Sequence, residues 1–135
     1  MKTLIEAALA AREKSYCPYS GFAVGAALLG KSGKIYTGCN IENAAYTPTS
    51  CAERTAFFKA LSEGEKEFKA IAICGGRAGA APASCCAPCG VCRQVMAEFC
   101  GPDFLICSAV SAERYETYTL AEILPKAFGK NDVVM

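Results

Sequence analysis

Cys51-Ala52-Glu53 is followed, about 35 residues later, by Pro88-Cys89-Gly90-Val91-Cys92-Arg93-Gln94. No other feature constrains the fold as tightly: three thiolates can serve one tetrahedral metal only if the chain brings both segments to a single point. Cys89 and Cys92 stand three apart, so one helical face presents both sulfurs to one ion. Three protein ligands leave the fourth position of a zinc for water, which is the catalytic rather than the structural arrangement. The chain contains no His, so a ligand set that includes His is impossible.

Both clusters fall where helices are expected to start. Ser50-x-x-Glu53 reads as a capping box, and Pro88 suits a first helical turn. Free N–H groups and the positive end of a helix stabilise thiolates and lower their pKa into the ligand range. Three thiolates on a divalent cation leave a net negative charge, which Arg54 and Arg93 are placed to offset. Simpler readings compete. Cys51 alone would be a small buried residue, and Glu53 could be only the reciprocal half of the Ser50 capping box. Cys86-x-x-Cys89-x-x-Cys92 with Cys51 could form an iron–sulfur or closed four-cysteine zinc site. That reading leaves Glu53 without a role. Cys85 and Cys86 fit better in the loop approaching the site, and a thioredoxin-like redox pair would leave Cys51 unexplained.

A chain of 135 residues forms one domain, expected over 1–135. Its 53% hydrophobic content and mean hydropathy of +0.22 point to apolar surface taken up in subunit interfaces. A formal charge of +1 and the lack of Lys/Arg runs interleaved with aromatics argue against nucleic acid as a partner. No stretch is long enough for a membrane span. Met1 to Ser15 reads as an amphipathic helix without the apolar core and cleavage site of a secretory signal. The ten cysteines are therefore expected in a reduced, cytoplasmic compartment, mostly as small buried hydrophobes.

Four helices are expected. Thr3-x-x-Glu6 opens the first as a capping box, with Leu4, Ile5, Ala8 and Leu9 inward and a stop before Pro18. The second runs from Ser50 to a Gly64 stop, and the third from Pro88 with Val91, Val95, Met96 and Phe99 inward. Thr119-x-x-Glu122 opens a short fourth, halted at Pro125. Strands are expected at Phe22–Leu29 and Ile35–Ile41, joined as an antiparallel hairpin, and at Ala70–Cys74, Phe104–Val110 and Tyr115–Tyr118. Gly75–Ser84 reads as a loop. The order α-β-β-α-β-α-β-β-α implies an α/β fold, one mixed five-stranded sheet in a three-layer α/β/α sandwich.

Five blocks carry a resemblance over nearly the whole chain: Tyr19 to Ala27, Gly38 to Tyr46, Cys51 to Arg54, Pro88 to Gln94 and Leu124 to Gly129. In this order and spacing the chain resembles the small, homotetrameric, zinc-dependent cytidine deaminases. The resemblance implies that Cys51, Cys89 and Cys92 bind Zn2+ and that Glu53 shuttles protons. It implies that Arg54 hydrogen-bonds ligand sulfurs, and that Phe22, Asn40, Glu42, Tyr46, Ala52 and Phe128 bind substrate. Phe22 would pack on the pyrimidine, Asn40 and Glu42 would hold the sugar, and Tyr46 and Phe128 would reach the pockets of neighbouring subunits. Taken residue by residue, Phe22 in an apolar strand is ordinarily core, and Asn40 and Glu42 after a strand are ordinarily solvated. Residues i and i+2 of a strand nevertheless share a face, so both could converge on one ligand.

The implied activity is hydrolytic deamination of cytidine and deoxycytidine to uridine and deoxyuridine, as in pyrimidine salvage, with no nucleic acid or membrane partner. The zinc would provide hydroxide at neutral pH, and Glu53 would act as base and acid in turn. An aminonucleoside antibiotic of the blasticidin type is the alternative substrate, disfavoured by Asn40-x-Glu42. Thr49-Ser50 before Cys51, and the long cysteine-rich stretch from Gly75 to Cys86, depart from the family pattern.

Overall fold

Side-chain alternation explains the layers. The computed structural model describes residues 1–133, so residues 134 and 135, the end of the expected domain, lie outside the described residues. In β1 (Phe22–Gly30), Ala26 and Leu28 face one side and Ala27 the other; in β3 (Phe68–Arg77), Ile71 and Ile73 oppose Ala70, Ala72 and Cys74. This period of two gives the sheet one face of large residues and one of small. Phe57 of α2 (Ala52–Ser62) and Met96 of α3 (Gly90–Phe99) pack on the large-residue face. Leu4, Ile5 and Ala8 of α1 (Lys2–Arg12) cover the Ala/Cys face. The expected α/β/α sandwich is present.

With β2 (Ile35–Cys39), β4 (Leu105–Ala109) and β5 (Tyr115–Thr119), the strands run β2-β1-β3-β4-β5. β3 and β4 pair in parallel across the α3 crossover, and the other pairs are antiparallel. The sheet is therefore mixed and five-stranded, as expected. After β5 come α4 (Leu120–Ile123) and an unexpected short turn, α5 (Lys130–Val133).

Local details differ from the sequence-based expectations for identifiable reasons. The Thr119–Glu122 capping box forms with both halves present. The Thr3 box does not: Ile5 N–H already bonds to the Met1 carbonyl at 3.0 Å, so the helix begins upstream with Met1 as N-cap. In α3, Cys92 and Met96 take the inward stripe, which turns Val91 and Phe99 outward to 58% and 37% exposure. β3 also runs further than expected, because Gly75, Gly76 and Arg77 pair with Val24, Ala23 and Phe22. The loop thus begins at Ala78 rather than Gly75.

These elements converge at one end of the sheet. Phe22 opens β1, Asn40 follows β2, Arg77 ends β3, and the N-termini of α2 and α3 follow from β2 and β3. This is the carboxyl end of the parallel pair, where open α/β sheets place ligands. Buried Arg12 fastens it, donating to the carbonyls of Ala23 at 2.9 Å and Arg77 at 2.7 Å. Gly38 sets the approach of α2: a Cβ there would lie 2.5 Å from the Ala52 carbonyl oxygen and 2.6 Å from Ala56 N.

Candidate metal centre and active site

Cys51 is the N-cap of α2 and Cys89 the N-cap of α3. Two helix starts thus deliver the ligands, and in α3 the ligand sulfur itself caps, accepting from Cys92 N–H. Pro88 consequently precedes the cap instead of occupying the first turn. Cys51 Sγ lies 3.8 Å from Cys89 Sγ, which lies 3.5 Å from Cys92 Sγ. All three sulfurs fall within 4.8 Å of one another. A tetrahedral zinc with bonds of about 2.3 Å needs sulfurs roughly 3.8 Å apart, so the trio fits that ion. Among the described residues this is the one group of three or more candidate ligands close enough to share a metal. Cys86 stands outside it, which removes the four-cysteine reading. Its sulfur instead faces Gly75, where a Cβ would lie 3.1 Å from Cys86 Sγ and 3.0 Å from the Phe22 ring.

Ser50 does not cap α2. Its hydroxyl donates to the Cys51 carbonyl and pairs with Thr55, so the helix starts one residue later and Glu53 is free of the reciprocal capping role. Glu53 is instead 95% buried, one residue into the helix. Burial pushes its carboxyl up to about 7, outweighing a hydrogen bond from its own backbone N–H. A carboxyl held near neutrality can take up and release a proton in one cycle.

The Cys51 thiol is drawn down to about 5, first by a hydrogen bond from Cys92 and then, against the cost of burial, by Arg54. Cys92 is raised, by its neighbour Cys51 and by burial. Arg54 Nη2 donates to Cys51 Sγ at 3.2 Å, as expected. Arg93 does not reach the sulfurs. It donates to the Pro88 carbonyl at 2.8 Å and the Ile123 carbonyl at 2.7 Å, tying the ligand loop to α4.

Phe22 is 43% exposed at the start of β1 and lines a cavity of about 440 Å³ with Gly75, Cys85 and Cys86. It is therefore not core. Asn40 Oδ1 accepts from Val24 N–H at 2.9 Å and from the Ser15 hydroxyl, while Nδ2 donates to the Phe22 carbonyl at 2.8 Å. The amide thus braces the mouth of the sheet. Glu42 accepts from the N–H groups of Tyr19 at 3.0 Å and Ser20 at 3.1 Å, and from the Ser20 hydroxyl. These bonds, with the Ser20 hydroxyl foremost, hold its carboxyl below the usual range. Ala52 is fully buried beside Gly38. Tyr46, at φ 63° and 75% exposed, shares a second cleft with Glu42. Phe128, 64% exposed, lies instead beyond α4.

Sequence reasoning assigned no part to Ser20 or Gln94, although both lie inside blocks it singled out. Ser20 proves to hold Glu42, and Gln94 Nε2 donates to the Phe128 carbonyl at 2.7 Å. Another cavity, about 920 Å³, lies between α4 and the C-terminal end of α3 and is lined by none of the three ligand cysteines.

Comparison with known proteins agrees with this geometry. Residues 1–108 match the model of the cytidine and deoxycytidylate deaminase zinc-binding region. A cytidine deaminase of Sporosarcina psychrophila is 50% identical over 133 residues, covering 98% of this chain and 94% of the relative. A probable cytidine deaminase of Dictyostelium discoideum is 40% identical, covering 99% of this chain and 87% of its own. The crystal structure of cytidine deaminase from Burkholderia pseudomallei superposes with a TM-score of 0.85 at 47% identity, over 93% of this chain and 97% of the other. Three sulfurs set for one ion beside a buried carboxyl, on this sheet, belong with that alignment: the chain is a member of the cytidine and deoxycytidylate deaminase zinc-binding family.

Proposed function

We propose that this protein hydrolyses cytidine and deoxycytidine to uridine and deoxyuridine with release of ammonia, in pyrimidine salvage. The observation that carries the reading is Glu53, buried on α2 within the electrostatic reach of Cys51 and two residues along from it. Cys51, Cys89 and Cys92 would hold a zinc, which when bound would supply Lewis-acid activation of water near neutral pH. Glu53 would accept a proton from the attacking water and deliver it to N3 of the pyrimidine as the water oxygen bonds to C4. It would then carry the proton of the new C4 hydroxyl to the 4-amino group, so that the C4–N bond breaks and ammonia leaves. Water and cytidine are thereby consumed, and uridine and ammonia formed, in equal amounts.

Arg54 offsets part of the charge of the three thiolates through its bond to Cys51. Phe22 offers an apolar wall for the base. Asn40 retains one Nδ2 hydrogen beyond its bond to the Phe22 carbonyl, and Glu42 presents a carboxylate as acceptor, a pair suited to a sugar hydroxyl. Tyr46 and Phe128 are exposed aromatics that, among the described residues, pair with no other aromatic ring, which supports a homotetramer in which neighbours complete each pocket. Among the described residues no helix is long and apolar enough to cross a membrane, and a cytoplasmic enzyme is the reading that suits ten unpaired cysteines.

The test is to incubate the zinc-loaded protein with cytidine and measure uridine and ammonia together. Equal yields, abolished by a chelator and restored by zinc, are expected. No turnover of cytidine or deoxycytidine by protein shown to hold one zinc per chain would overturn the assignment.

A further inference from the structure

Phe128 combines an exposed side chain with a fixed backbone. Its ring is 64% exposed, yet its carbonyl accepts a 2.7 Å bond from Gln94 Nε2 across 34 positions of chain. On the next residue, Gly129 N–H is held by the Asp132 carboxylate at 2.7 Å. Two residues before it, Lys126 turns the chain at φ 53°, a left-handed conformation that a residue with a side chain adopts at a cost. At the root of the segment, Arg93 grips the Ile123 carbonyl at 2.7 Å. A surface aromatic with only a packing role would be held by contacts of its ring. Here the polar bonds hold the main chain and leave the ring presented outward.

Both anchors, Arg93 and Gln94, follow Cys92 directly in α3, as its fourth and fifth residues. The helix that begins with two metal ligands therefore also carries the C-terminal segment on its outer side. We propose that Gln94 is a positioning residue for substrate binding: it presents Phe128 to the pocket of the neighbouring subunit. The assignment rests on the reading above that Phe128 completes a neighbour's pocket. Pre-ordering the segment spares the entropy of fixing it when substrate arrives, so loss of Gln94 should act on KM.

The measurement is a double-mutant cycle on the assembled enzyme, reading KM and kcat for cytidine with zinc content and Tm as controls. Gln94→Leu removes the donor at similar size, and Gln94→Glu replaces the donor with an acceptor. Each is expected to raise KM about threefold to tenfold, a size set by the cost of re-ordering a few side chains, with kcat and zinc content little changed. Phe128→Ala is expected to raise KM by on the order of tenfold, as the aromatic contact is lost. The decisive result is non-additivity. With Phe128→Ala in place, Gln94→Leu should raise KM no further, because the anchor then has nothing to present. If Phe128→Ala raises KM and Gln94→Leu does not, or if the two effects multiply, Gln94 does not work through Phe128 and the proposal fails. If Phe128→Ala itself leaves KM unchanged, the reading of Phe128 fails, and the proposal with it.

Discussion

Arg54 donates from Nη2 to Cys51 Sγ across 3.2 Å, one turn into the helix that Cys51 caps. The spacing makes the bond local: residues i and i+3 of a helix start share a face, so the ligand and its counter-charge come from one turn. Arg54→Ala should leave an uncompensated thiolate trio and weaken zinc retention or turnover by about 10–100-fold. Zinc release to a competing chelator, followed alongside kcat, checks this.

Gly38 tests how strictly α2 must approach the sheet. A methyl group at that position would meet backbone atoms of Ala52 and Ala56, at 2.5 and 2.6 Å, with no flexible side chain to give way. Gly38→Ala should displace the start of α2, lower stability by about 1–3 kcal/mol and reduce kcat, because Cys51 and Glu53 move with it. Thermal unfolding and kinetics on the purified variant read both effects. Unchanged values would show that the contact relaxes without moving the ligands.

Cys86 separates the open site from a closed one. Its sulfur lies apart from the other three, so Cys86→Ser should retain one zinc per chain. Cys89→Ser should lose most of it, since only two thiolates then remain. Metal analysis of the two variants distinguishes these outcomes. Equal losses would restore the four-cysteine arrangement.

Much of this was legible in the chain. The element order, the hairpin and the ligand trio follow from apolar period, turn residues and cysteine spacing, which are local signals. Glu53 was ambiguous for an equally local reason: Ser50-x-x-Glu53 has the form of a capping box. The ambiguity ends only when Cys51 takes the cap and Glu53 is buried. Arg93 was misplaced because adjacency in sequence does not set direction on a helix; its guanidinium points to Pro88 and Ile123 instead of the sulfurs. Ser20 and Gln94 were unreadable, because their partners Glu42 and Phe128 lie 22 and 34 positions away and meet them only in the fold.

The Ser20–Glu42 pair gives a pH prediction. The Glu42 carboxyl sits below its ordinary value because Ser20 and two backbone N–H groups stabilise the charged form. A depressed acid contributes its stabilising interactions fully above its unfolded value and loses them as pH falls through the folded one. Sugar binding through an ionised Glu42 should therefore persist somewhat below pH 4.5, the ordinary value for Glu. Ser20→Ala should move the acid-side loss of nucleoside affinity to higher pH with binding at neutral pH less affected. The dissociation constant of the product nucleoside uridine against pH for both proteins decides it, because kcat/KM falls first with protonation of Glu53, and an unmoved binding profile would remove Glu42 from the binding step.

Turnover by Glu53→Gln tests the central claim most directly. Glutamine keeps the shape of the buried side chain and cannot carry the proton. With zinc content and Tm shown to be retained, kcat for cytidine should fall by about 10²–10⁴-fold, the usual worth of a positioned acid–base group. A zinc-loaded, folded Glu53→Gln protein that turned cytidine over at the native rate would contradict the account.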